Sequence, residues 1–106
     1  MILYGLKNCD KCREALKALS LEGREVTFKD IRLENLTAQT IADWWTLIGA
    51  ELLNRRSTTW RNLNKMERES DPVALMQQHP SLIKRPVIVT DSGSVFCGWK
   101  KGKTIE

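Results

Sequence analysis

The chain has 106 residues, room for one core and a single domain spanning residues 1–106. Apolar residues make up 42% and charged residues 28%, with 6 Gly and 3 Pro, which excludes a disordered or fibrous chain. No apolar run approaches the ~20 residues of a membrane span, and Met1 leads into Ile2-Leu3-Tyr4 without a charged leader, so a cytoplasmic protein without membrane contact is expected.

Residues 1–5 read as a short buried strand. Cys12, Ala15, Leu16 and Leu19 then recur at helical spacing and predict an amphipathic helix closed by Gly23. Residues 25–29 alternate polar and apolar as a strand does. Thr37 is placed to cap a second helix whose Ile41, Trp44, Trp45 and Ile48 run up to Gly49. Residues 50–70 read as short helical turns, and Asp71-Pro72 opens another helix that stops near Pro80. Val87 to Thr90 and Val95 to Trp99 are strand-like and flank turn chemistry at residues 91–94, an antiparallel hairpin. Strands at both ends with helices between them predict an α/β fold of about four strands, the first two joined by a right-handed crossover.

The net charge of +4 is unevenly spread: residues 1–54 carry 7 basic and 8 acidic groups, residues 55–106 carry 10 basic and 5 acidic. The excess lies in Arg55, Arg56, Arg61, Lys65 and Arg68, in Lys84 and Arg85, and in Lys100, Lys101 and Lys103. Such clusters can meet an oxyanion, glutathione carboxylates, an acidic protein or a phosphate backbone, or simply face water. Direct nucleic-acid binding is not expected, because aromatics are few and Trp44 and Trp45 sit on a helical apolar stripe.

Three cysteines, two of them close together, fit reactive thiols in a reducing compartment better than a disulfide scaffold. Asn8-Cys9-Asp10-Lys11-Cys12 falls where the first strand meets the first helix. A thiolate there is favoured by the helix dipole and by unpaired backbone N–H groups, which marks Cys9 as a nucleophile. Cys12, one turn on, is either a resolving thiol or a small core residue. Cys97 reads as core or as a remote resolving thiol, and with it and His79 as the only further candidate ligands, no metal site is expected. Lys84-Arg85-Pro86 precedes the third strand, a place where an X-Pro bond can be cis. The loop before that strand lies beside the end of the crossover helix in this topology, which brings Arg85 near Cys9 as a donor for an anionic substrate.

Residues 3–15, residues 52–63 (Leu-Leu-Asn-Arg-Arg-Ser-Thr-Thr-Trp-Arg-Asn-Leu) and residues 80–87 (Pro-Ser-Leu-Ile-Lys-Arg-Pro-Val) together resemble the arsenate reductase-like (ArsC/Spx) family, especially its YffB-type branch. The resemblance implies a thioredoxin-like fold, a four-stranded mixed sheet with an inserted helical subdomain at about residues 32–79. It implies Cys9 as the reductase cysteine, with Cys12 completing a Spx-like Cys-x-x-Cys pair. Asn8, Arg85 and Pro86 fall in the substrate-binding segments, with Arg85 on the oxyanion and Pro86 cis. Two further arginines that grip arsenate in the reductases align with Asn54 and Gly98; Arg55 or Arg56 can stand in for the first but nothing replaces the second, which argues against arsenate itself as the substrate. Members of the YffB-type branch commonly lack a cysteine at the place of Cys12, and the family adds a final helix after the last strand, where this chain stops at Glu106.

The expected function is therefore an arsenate reductase-like thiol oxidoreductase without a bound cofactor, acting on a small oxyanion or a disulfide, with glutathione or a glutaredoxin-type protein as reductant. The alternatives are a Spx-like redox regulator that contacts RNA polymerase, and a thioredoxin-fold adaptor whose thiols do no chemistry.

Overall fold

The computed structural model describes residues 1–102 and Ile105; the Lys103 charge and the Glu106 terminus read from the sequence lie outside the described residues. The chain forms two compact units, residues 1–34 with 85–106, and residues 35–84.

The first unit is built on a four-stranded sheet of order β2-β1-β3-β4. Its strands are β1 (Ile2–Gly5), β2 (Thr27–Asp30), β3 (Val87–Val89) and β4 (Val95–Cys97). β1 pairs with β2 in parallel and with β3 antiparallel, and β3 pairs antiparallel with β4, a mixed sheet of thioredoxin-like topology. Helix α1 (Asp10–Leu21) connects the two parallel strands. Its buried face is Cys12, Ala15 and Leu19, which join Leu3, Ile88, Trp99 and Ile105 in one core. Removing these side chains from water is the main force holding helix to sheet. The helix ends in a Schellman turn: Gly23 at φ +79° lets Arg24 N–H reach Leu19 O at 3.2 Å and Gly23 N–H reach Ser20 O at 3.0 Å.

Neighbours trim the strands read from the sequence. β2 begins at Thr27 rather than residue 25 because β1 itself starts at Ile2, the partner of Thr27, and it reaches Asp30 because β1 runs to Gly5. Thr90 leaves β3 for the hairpin turn, where its N–H bonds Ser94 O at 2.9 Å and its hydroxyl accepts Ser94 N–H at 3.1 Å. β4 stops at Cys97, after which Gly98 N–H bonds Pro86 O at 2.9 Å.

The second unit is helical. α2 (Ala38–Ile48) starts where Thr37 accepts the Thr40 N–H at 3.1 Å and ends at Gly49, φ +88°. It buries Ile41 and Trp44, while Trp45 and Ile48 are only half-buried, so the apolar stripe is narrower than its sequence suggests. The turns expected over 50–70 are a 3-10 turn at Ala50–Leu52, α3 (Thr58–Asn62) and α4 (Lys65–Arg68). Asn64 and Glu67 cap α4 reciprocally. α5 (Pro72–Gln78) packs on α2 and starts with Pro72 behind Asp71, whose carboxylate accepts Ala74 N–H at 3.0 Å. Asp71→Ala is expected to cost about 1 kcal/mol of stability in urea unfolding, the usual loss on removing such a cap. Among the described residues no helix is long and apolar enough to cross a membrane.

Candidate active site

β1 ends at Gly5, and Leu6-Lys7-Asn8 turn the chain into α1, with Cys9 N–H bonded to Leu6 O at 3.2 Å. Cys9 is the N-cap, its backbone extended at φ −94° and ψ 120°, and its carbonyl accepts Arg13 N–H at 3.0 Å. The half-buried Cys9 thiol therefore stands at the positive end of a twelve-residue helix.

Arg85 arrives from the other side of β1. The antiparallel register pairs Tyr4 with Val87, so the Arg85-Pro86 segment entering β3 runs past Gly5 toward the turn that carries Cys9. The Arg85-Pro86 peptide is cis, Pro86 is buried and the Arg85 guanidinium hydrogen-bonds the Cys9 sulfur. This strand pairing brings the two residues together.

Cys12 is one turn into α1 and 1% exposed. Its closeness to β1 depends on Gly5, because a Cβ at that position would run into the Cys12 sulfur and sit 3.2 Å from its Cβ. Sequence reasoning missed Gly5, although a glycine inside a strand pattern is itself a signal of close approach. Gly5→Ala is expected to lower stability by about 1–3 kcal/mol through overpacking. Thermal unfolding of Gly5→Ala in wild-type and Cys12→Ala backgrounds checks this, the cost being smaller where the sulfur is gone.

The two thiols are pushed apart in acidity. Burial acts to raise the Cys9 pKa, but it is outweighed by the Cys12 backbone N–H, the Cys12 thiol and the hydrogen bond and charge of Arg85, so the Cys9 thiol lies below its ordinary value. The Cys12 N–H closes no formal N-cap hydrogen bond, yet its dipole still favours the thiolate. Burial pushes the Cys12 thiol up to about 12; the Leu6 backbone opposes this, the Cys9 sulfur and its charge add to it, and Arg85 partly offsets it. One buried thiol thus remains a proton donor to a neighbouring sulfur that ionises more readily, an arrangement that separates nucleophile from proton holder.

Asn8 is exposed in the turn, and Cys97 is buried in β4 opposite Val87. All three cysteines are free thiols. Among the described residues no three His, Cys, Asp or Glu side chains gather as a metal site.

The model of the ArsC family matches residues 4–104, essentially the whole fold just described. The chain belongs to the ArsC family. An uncharacterized protein of Haemophilus influenzae is 36% identical to this ArsC-family chain over 104 residues, covering 93% of the chain and 90% of the relative. Among solved structures, a YFFB protein superposes with a TM-score of 0.83 at 30% identity, covering 93% of this chain and 90% of its own. An arsenate reductase (ArsC) related protein from Brucella melitensis gives a TM-score of 0.76 at 36% identity, covering 94% and 87%. These likenesses agree with the YffB-type resemblance of the sequence and with the thioredoxin-like sheet.

Proposed function

We propose that this ArsC-family chain is an arsenate reductase-like thiol oxidoreductase in which the Cys9 thiolate is the nucleophile. The observation that carries the reading is the convergence on the Cys9 sulfur of a helix N-terminus, the Cys12 thiol and the Arg85 guanidinium. On a disulfide substrate, the Cys9 thiolate bonds to one sulfur and expels the other as a thiolate, leaving a mixed disulfide on Cys9. Cys12 then gives up its proton and attacks the Cys9 sulfur, releasing the second thiol and forming a Cys9–Cys12 disulfide. The substrate has gained two electrons and the protein has lost two. Two glutathione molecules, or a glutaredoxin-type dithiol, return them and are themselves oxidised to a disulfide. A small oxyanion meets the same thiolate, a hydroxide leaving as the sulfur bond forms. Arg85, with Asn8 and Pro86, is assigned to the substrate-binding side, Arg85 offering a forked donor for negative charge. The cytoplasm, a reducing compartment, is where this cycle fits.

The pH dependence of iodoacetamide alkylation tests the reading. The Cys9 reaction is expected to have its midpoint below the 9.0 of an ordinary cysteine, and Arg85→Ala to move that midpoint upward. A Cys9 midpoint at or above the ordinary value, unmoved in the Arg85→Ala protein, would overturn it. A glutathione disulfide titration followed by mass spectrometry then separates an internal Cys9–Cys12 disulfide from a mixed disulfide with glutathione.

A further inference from the structure

Arg55 and Arg68 each hold their guanidinium carbon 5.6 Å from the centre of the half-buried Trp60 ring. Arg68 also donates from Nε to Trp60 O at 3.2 Å and from Nη2 to Arg61 O at 3.0 Å, while Arg61 Nη2 reaches Thr58 Oγ1 at 3.4 Å. Three guanidinium groups are therefore held around one ring and the adjoining turn, so part of the entropic cost of ordering them for a ligand is met in the free protein.

Their charges are unspent. Lys11, Arg13, Arg24, Lys29, Arg32 and Lys84 each lie within ion-pair distance of a carboxylate. Among the described residues none of Arg55, Arg56, Arg61, Lys65 and Arg68 does, and all five are exposed. The acidic groups of residues 55–69 are Glu67 and Glu69, and the Glu67 carboxylate is engaged in accepting Asn64 N–H at 2.9 Å.

We propose that this face of residues 55–68 docks an acidic segment of a partner protein. Arginine forks pair bidentately with carboxylates. Arg, Trp and Met are the residues enriched in protein interfaces, where Lys is depleted, and here four of five cations are Arg beside Trp60 and an 81% exposed Met66. A nucleic acid strand fits less well, because arginines already occupy the Trp60 ring on which a base would stack.

The test uses the full chain and a short fluorescent peptide of Glu and Asp, read by anisotropy at low salt. Saturable binding is expected, weakened about tenfold by Arg55→Gln with Arg61→Gln and less than about twofold by Lys100→Gln with Lys101→Gln, which removes the same charge elsewhere. Arg68 is left intact because it ties the backbone of the turn. The charge-retaining pair Arg55→Lys with Arg61→Lys is expected to keep most of the binding, which separates lost charge from lost fold. No binding by the wild type, equal losses in the two Gln pairs, or tighter binding of a single-stranded DNA of equal length would each overturn the proposal. Cys9 alkylation, measured on the Arg61→Gln single variant, is expected to stay at the wild-type rate, so loss of peptide binding there is independent of the thiol chemistry.

Discussion

Cys9→Ser is expected to lower thiol-disulfide reductase activity, assayed with glutathione as the electron source, by roughly a thousandfold or more, the scale seen when a covalent nucleophile is removed. A serine hydroxyl keeps the N-cap geometry but does not ionise near neutral pH, so the helix terminus and Arg85 are left with no anion to stabilise. The fold should survive, because Cys9 is only half-buried and serine is a favourable N-cap residue. Retention of full activity by a folded Cys9→Ser protein would remove the nucleophile from the proposed function. Equal alkylation rates for Cys9 and a free thiol would favour the adaptor alternative.

The second large effect is expected at Cys12. With Cys12→Ser the mixed disulfide on Cys9 has no internal thiol to resolve it, so exposure to glutathione disulfide should leave a stable adduct on Cys9, visible as a mass increase, where the wild type passes on to the internal disulfide. The substitution also has a pH signature. The Cys12 thiol stays protonated in the folded protein up to about 12, whereas in the unfolded chain it ionises near 9.0. Between those values the native state binds more protons than the unfolded state, so this thiol's contribution to stability falls as pH rises across the window. Cys12→Ser is expected to flatten that alkaline decline, measured as the urea midpoint between pH 9 and 12. Proton bookkeeping within the mixed disulfide supports the order of events: once the Cys9 charge is used up in a bond, one of the causes that raises the Cys12 pKa is gone, and Cys12 becomes easier to deprotonate just when it is needed.

Much of this architecture was legible in the residues because local rules and tertiary packing agree. Thr37, Asp71 and Gly23 sit at helix ends where their chemistry demands, and the Cys12, Ala15 and Leu19 stripe faces the core. The strand limits were not legible, since they depend on where each partner strand begins and ends. Trp45 and Ile48 show the same limit in α2, where periodicity marks a face but not how much of it a neighbour covers. The Asn64–Glu67 capping box opens a helix of only four residues, too short for apolar periodicity to mark it. At the site, the helix-start thiol and the approach of Arg85 could be reasoned from sequence, but the hold of Gly5 on Cys12 could not be measured without coordinates.

The first unit is assembled from both ends of the chain, so Cys9 and the Arg85 that hydrogen-bonds it are synthesised at widely separated times. A nascent or truncated chain that has made α1 but not β3 carries its cysteines without the guanidinium. Under the proposed thiol chemistry, full reactivity of Cys9 is expected only in molecules whose two ends have met, so its alkylation rate would serve as a chemical report of completed folding.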